Sequence, residues 1–183
     1  STNPITNGTY LWNSSNISSS SANIGDSYGG GLVFYLDGNG GGLIAAPSDQ
    51  STGAEWGCEG TTISGADGTA IGTGNQNTID IEAGCSTVGI GADICANLTL
   101  GGYSDWFLPS KDELNEMYWN IGQGSINIGN IGGFANSFYW SSTDYDLGLQ
   151  PGQGSPYAEL QNFSSGFPGT YNKSIPNYVR AVR

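Results

Sequence analysis

The chain of 183 residues has no histidine, four basic residues, one methionine and three cysteines. Without histidine there is no Ser-His-Asp or Cys-His nucleophilic arrangement, and most general acid–base schemes that work near neutral pH are gone. His-ligated metal sites go with them, and the spacing of Cys58, Cys85 and Cys95 fits no zinc module. The only cations are Lys111, Lys173, Arg180 and Arg183, which leaves a formal charge of −12. So few cations cannot neutralise a run of phosphates, so neither nucleic acid nor an anionic membrane surface is expected as a partner. No apolar run is long enough to span a membrane, and no membrane insertion is expected.

Glycine is in excess, at 31 residues, and Ser, Thr and Asn are abundant. This is the composition of a turn-rich extracellular module of short strands, unlike that of a helical cytosolic enzyme. Five Trp, ten Tyr and six Phe can still build a core, since each buried aromatic covers roughly 150–250 Å². One domain is expected over 24–183. Residues 1–23, rich in Ser and Asn, read as a stalk, linker or docked strand around Tyr10-Leu11-Trp12. Through this segment the chain could form a homo-oligomer. Sequons at Asn7, Asn13, Asn16 and Asn97 are what chance gives in such a chain.

Three cysteines read as one disulfide and one buried thiol. Cys95, among Ile94, Ala96 and Leu98 in a helical pattern, is the expected thiol. Cys58 and Cys85 each adjoin a glycine in turn-like sequence and are the expected pair. Cys85–Cys95 is the competing pairing. A disulfide implies an oxidising compartment, which is compatible with an extracellular or cell-surface location.

The clearest local signal is Ser110-Lys111-Asp112-Glu113. Its Ser-x-x-Glu spacing is that of a capping box, with acidic residues on the first turn where the helix dipole favours them. Leu114, Met117, Tyr118 and Ile121 recur at helical spacing, which predicts a helix over roughly 111–120. Tyr103, Trp106, Phe107 and Leu108 read as an anchor feeding it into a core. Shorter helical pieces are expected over 77–83, capped by Asn77 or Thr78, and over 92–98. Residues 31–36 and 43–46 read as a hairpin turned by Asp37-Gly38-Asn39-Gly40. Asp37 and Asn39 resemble the start of a calcium loop, but the later ligands of an EF-hand are missing.

Residues 48–76 are long and polar, with Trp56 as an anchor, and such a stretch is often functional. Strands are expected over 138–142, 157–163 and 177–183, with a loop over 143–156 and a turn at Ser164-Ser165-Gly166. In the last strand Tyr178, Arg180 and Val182 alternate with Val179 and Ala181, as in a half-buried strand. Asp105 is expected to cap a turn or pair with Arg180. Together these pieces predict an α+β arrangement, a small antiparallel sheet flanked by one or two helices.

Four segments in order carry a family likeness: Gly30 to Tyr35, Tyr103 to Leu114, Tyr139-Trp140-Ser141-Ser142, and Tyr178 to Arg183. From about Ile24 to Arg183 the chain resembles the C-terminal domain of bacterial collagen-like adhesins. The resemblance implies a variant of the C-type lectin fold, distantly similar to the formylglycine-generating enzyme fold. It also implies a secreted or surface-displayed module that binds glycans or proteins. It supplies no catalytic set, because the paired active-site cysteines of the formylglycine-generating relatives have no counterpart here.

In a lectin-like fold the ligand surface is built on long loops and late strands. That points to Asp144, Tyr145 and Asp146, then Tyr157, Glu159, Gln161 and Asn162, then Tyr171, Asn172 and Lys173. Aromatic faces suit sugar C–H surfaces, and planar polar groups suit paired hydroxyls. Tyr139 and Trp140 are expected in the core. Calcium is the cofactor that the loop carboxylates Asp144 and Asp146 would accept. By residue type the same two could make a glycosidase pair, a weaker reading than binding. A third reading is a structural or assembly subunit, the tip of a fibre or filament.

Overall fold

The computed structural model describes residues 22–148 and 154–183. Tyr10-Leu11-Trp12, most of the segment 1–23 and the middle of the 143–156 loop lie outside the described residues. The architecture is α+β, with three helices and two sheets among the described residues. A three-stranded antiparallel sheet joins β1 (Ser27–Tyr28), β2 (Gly31–Leu36) and β3 (Gly42–Ala45). A five-stranded sheet runs in the order β4 (Ser51–Ala54), β8 (Asn177–Val179), β5 (Phe138–Asp144), β6 (Tyr157–Asn162), β7 (Pro168–Asn172). Past β8 the chain pairs with β3 and with Phe107, through the Ala45↔Val182 and Phe107↔Val182 bridges, and so ties the sheets together. The 180–182 segment is therefore covered on both faces, where alternation predicts a half-buried strand: Arg180, Ala181 and Val182 are all buried.

The hairpin turn at 37–40 forms as expected, with the Asp37 carboxylate accepting the Asn39 and Gly41 amides. α1 (Gly74–Gly84) begins three residues before the expected cap. Thr73 is its N-cap residue, and Asn77 instead turns its amide inward to Gly68 and the Ser142 hydroxyl. α2 (Gly91–Ala96) is one turn and a half. α3 (Lys111–Ile121) starts with the complete capping box: Ser110 Oγ accepts Glu113 N–H, and the Glu113 carboxylate accepts Ser110 N–H.

Two apolar clusters fill the space. Trp56, Ile81, Ile90, Trp106, Trp140 and Leu160 belong to one; Phe34, Leu114, Met117, Phe134, Tyr139 and Phe163 belong to the other. Two indoles cross between strands, Trp56 Nε1 donating to Ser141 O and Trp140 Nε1 to Ala54 O, so each large ring is buried with its polar atom satisfied. Cys58 and Cys85 form the disulfide, and Cys95 is the buried thiol. Burial pushes the Cys95 thiol far above its usual range, which makes it inert. Asp105 pairs with Arg183, which also lies over Tyr103. Arg180 pairs instead with Asp49, fills two carbonyls, Ala46 O and Gly132 O, and stacks on Phe134.

Candidate ligand-binding site

The ten residues singled out after Trp140 divide into a buried set and an accessible set. Asp144, Glu159, Gln161 and Lys173 are buried. Extra residues in β5 between the Trp140↔Leu160 and Asp144↔Ala158 pairs bend the strand there and turn Asp144 inward. Its Oδ1 meets Lys173 Nζ at 2.8 Å, and its Oδ2 accepts Ile63 N–H at 2.7 Å. Lys173, with no exposed surface, also donates to Thr61 O at 2.6 Å and lies 4.5 Å from the centre of the Trp56 ring. Burial pulls the Lys173 pKa down, and Asp144 opposes that pull. The pair thus pins residues 61–63 to β5 and β7.

Glu159 and Gln161 point from β6 toward α3. Glu159 meets Lys111 Nζ at 3.0 Å, and Gln161 Nε2 donates to Asn115 Oδ1 and Gly166 O. These contacts fasten the helix to the sheet. With Arg180–Asp49 and Arg183–Asp105, all four cations of the chain are in ion pairs.

Tyr145, Asp146, Tyr157, Asn162, Tyr171 and Asn172 keep accessible surface. Tyr157 lies opposite Asn172 in the β6–β7 ladder, and Tyr145 N–H donates to Tyr157 O, so these three share one end of the sheet. Glu59 joins them by accepting from Asn172 Nδ2. Here the loops approach closely: a Cβ on Gly154 would come within 2.1 Å of Gly60 O, so only glycine fits. Asp146 closes a local turn by accepting Gly148 N–H. Tyr171 faces the other side of the sheet, where its ring and that of Phe138 are nearly parallel, 6.1 Å apart and both more than 40% exposed. Asn162 caps the β6–β7 turn through Ser164. The structure therefore brings Tyr145, Tyr157 and Asn172 together and sets Tyr171 and Asn162 elsewhere.

Sequence reasoning misses Glu59 and Phe138. Alternation with the buried Tyr139 is a signal that could have found Phe138; nothing in the sequence marks Glu59. For a divalent cation, Asp144 offers a carboxylate already engaged by Lys173. No group of three or more His, Cys, Asp or Glu side chains suited to a metal occurs among the described residues. No helix among them is long and apolar enough to cross a membrane.

The family model of the Lcl C-terminal domain matches residues 46–183, and the chain belongs to this family of bacterial surface-associated domains. The matched region starts later than the likeness read from Ile24 onward, so Gly30 to Tyr35 lie outside it, although β2 and β3 complete the same fold. No curated protein matches the chain.

Proposed function

We propose that this member of the Lcl C-terminal domain family is a surface-displayed, non-catalytic module that binds a glycan or a protein through the loops and strand ends after Trp140. One observation carries the reading. An accessible cluster of Tyr145, Tyr157, Asn172 and Glu59 stands on a base held by the disulfide and the buried Asp144–Lys173 pair. Rigid aromatic and amide groups on a fixed frame bind at low entropic cost. Binding is favoured over glycoside hydrolysis because the pairing of Asp144 with Lys173 takes one of the two candidate carboxylates out of action.

All four cations are spent in ion pairs on a chain of charge −12, so the ligand is neutral or cationic. The test is a glycan array read with and without calcium, using the parent chain and its Tyr157→Ala and Asn172→Ala variants. Uncharged glycans should bind, sulfated ones should not, and each variant should weaken binding about tenfold. A blank array beside clear binding to a protein would move the ligand class to protein. Sulfated glycans as the preferred ligands would sink the charge argument.

The second reading, an assembly subunit, is favoured by Ile126, Ile128 and Ile131. They are exposed, and the latter two lie against Gly25, near the start of the described residues. Light scattering on the full chain and on an Ile126→Ser/Ile128→Ser variant separates the two readings: an oligomer lost in the variant supports assembly.

A further inference from the structure

A concave site lies away from the late loops and shares no residue with them. It is a cleft of about 350 Å³ between α1 and the Ser104-Asp105-Trp106 segment. That is within the range of roughly 300–1,000 Å³ typical of small-molecule sites. One wall is apolar, formed by the half-exposed Ile79 beside Ala96 and the little of the buried Trp106 that reaches the cleft. The other wall carries Asn75, Glu82, Ser104 and Asp105. Asn75 and Glu82 lie seven residues apart on α1, two turns on one face. Among the described residues, the side chains of Asn75, Glu82 and Ser104 have no hydrogen-bond or ion-pair partner.

The charges in this cleft are not balanced. Arg183 neutralises Asp105 through one oxygen. Glu82 has no cation, and partial burial together with nearby Asp93 raises its pKa, so its charged form is held at a cost. A ligand that brings a positive charge to Glu82 removes that cost. An apolar wall centred on Ile79, opposite amide, hydroxyl and carboxylate groups, suits a pyranose ring, one face against carbon and its edge against hydrogen-bonding groups.

We infer that this cleft binds a hexosamine carrying a free amine, with the ammonium at Glu82, the ring hydroxyls at Asn75 and Ser104, and the ring face on Ile79. The site is independent of the late-loop surface, so either can fail without the other.

The experiment is an NMR titration of the full chain with D-glucosamine, N-acetylglucosamine, D-glucose, methylamine and lysine amide. Glucosamine should shift the Ile79, Ala96 and Ser104 amides and the Trp106 indole, with the other four probes at least tenfold weaker. Glu82→Gln should weaken glucosamine about tenfold, the size of one charge-assisted contact. Asn75→Ala should weaken it by a smaller factor. Both sites are on the accessible face of a helix, and the unchanged spectrum of each free variant serves as the folding control. Equal responses to glucosamine and glucose would overturn the role of the amine. A matching response to methylamine would reduce the site to simple ion pairing and overturn the sugar. A matching response to lysine amide would assign the cleft to a protein side chain. Full binding by Glu82→Gln, or no shift with glucosamine, would also overturn the proposal.

Discussion

Asp144 and Glu113 are buried carboxylates that hold the two ends of one loop. Asp144 accepts from Ile63 N–H and Glu113 from Gly72 N–H. Asp144 has a cation, Lys173, itself lying over Trp56. Glu113 has no cation: Ser110 N–H and Gly72 N–H lie at 2.7 Å each, with the Gly74 backbone and the Ser110 hydroxyl close by, while the chain's four cations pair elsewhere. Burial pushes Glu113 up to about 7 even though those amides pull the other way. The difference is one of range. Glu113 is built from neighbours in sequence and adds a distant loop to a local cap. Asp144 is built wholly from distant partners, so it depends on the tertiary fold being complete.

If that contrast is right, removing the cation of the long-range pair is the most damaging single change. Lys173→Met leaves the Asp144 charge buried and unpaired, and should cost about 3–5 kcal/mol in urea unfolding. Asp144→Asn/Lys173→Met removes both charges and should recover a large part of that loss. A single variant costing under about 1 kcal/mol would mean that residues 61–63 do not depend on the ion pair.

The disulfide supports the same loop by a covalent route. Cys58 and Cys85 are 27 residues apart, and opening a loop of that length should cost about 3.5 kcal/mol. Urea unfolding of the Cys58→Ser/Cys85→Ser variant measures it. An effect additive with Lys173→Met would show that bridge and ion pair constrain different parts of the 57–66 stretch. A combined cost well below the sum would show that they hold one unit.

Glu113 adds a pH signature of its own. Its pKa is raised in the folded state, so the native protein binds more protons than the unfolded chain between about pH 4.5 and 7. Stability from this group is therefore fully present below the unfolded value and is lost as pH rises through 7, a swing on the order of 3 kcal/mol. Glu82 shifts in the same direction and adds a smaller part. Urea midpoints should rise from pH 7.5 to pH 5, and Glu113→Gln should flatten most of that rise.

The same contrast explains what could be read from the sequence. The Ser110–Glu113 box, the 31–46 hairpin and α3 were legible because neighbours within a few residues define them. The Cys58–Cys85 pair was legible from its turn-like setting, with one rival left open. β4 was not, because Ser51-Thr52-Gly53-Ala54 has no strand pattern and becomes a strand only by lying along β8. β7 begins with Pro168-Gly169, and only an edge position tolerates that start. For the site, residue type selected Asp144, Glu159, Gln161 and Lys173 as ligand groups. Whether such groups face inward is set by a strand irregularity in β5 and by the placing of α3, neither of which leaves a mark in sequence.

The smallest expected effect tests how local the capping box is. Ser110 is buried; its hydroxyl accepts Glu113 N–H and donates to Ala70 O at 3.0 Å. Ser110→Ala loses both bonds and should cost about 1 kcal/mol. As an N-cap, glycine falls only a few tenths of a kcal/mol short of serine, whereas alanine loses the full cap. Ser110→Gly therefore isolates the hydroxyl's bond to Ala70. If the Ser110→Gly variant unfolds close to the parent's urea midpoint, Ser110 is a helix cap and nothing more. If it loses nearly as much as Ser110→Ala, the hydroxyl serves the 69–73 loop as much as the helix, and even the most legible motif of the sequence owes half its role to a residue forty positions away.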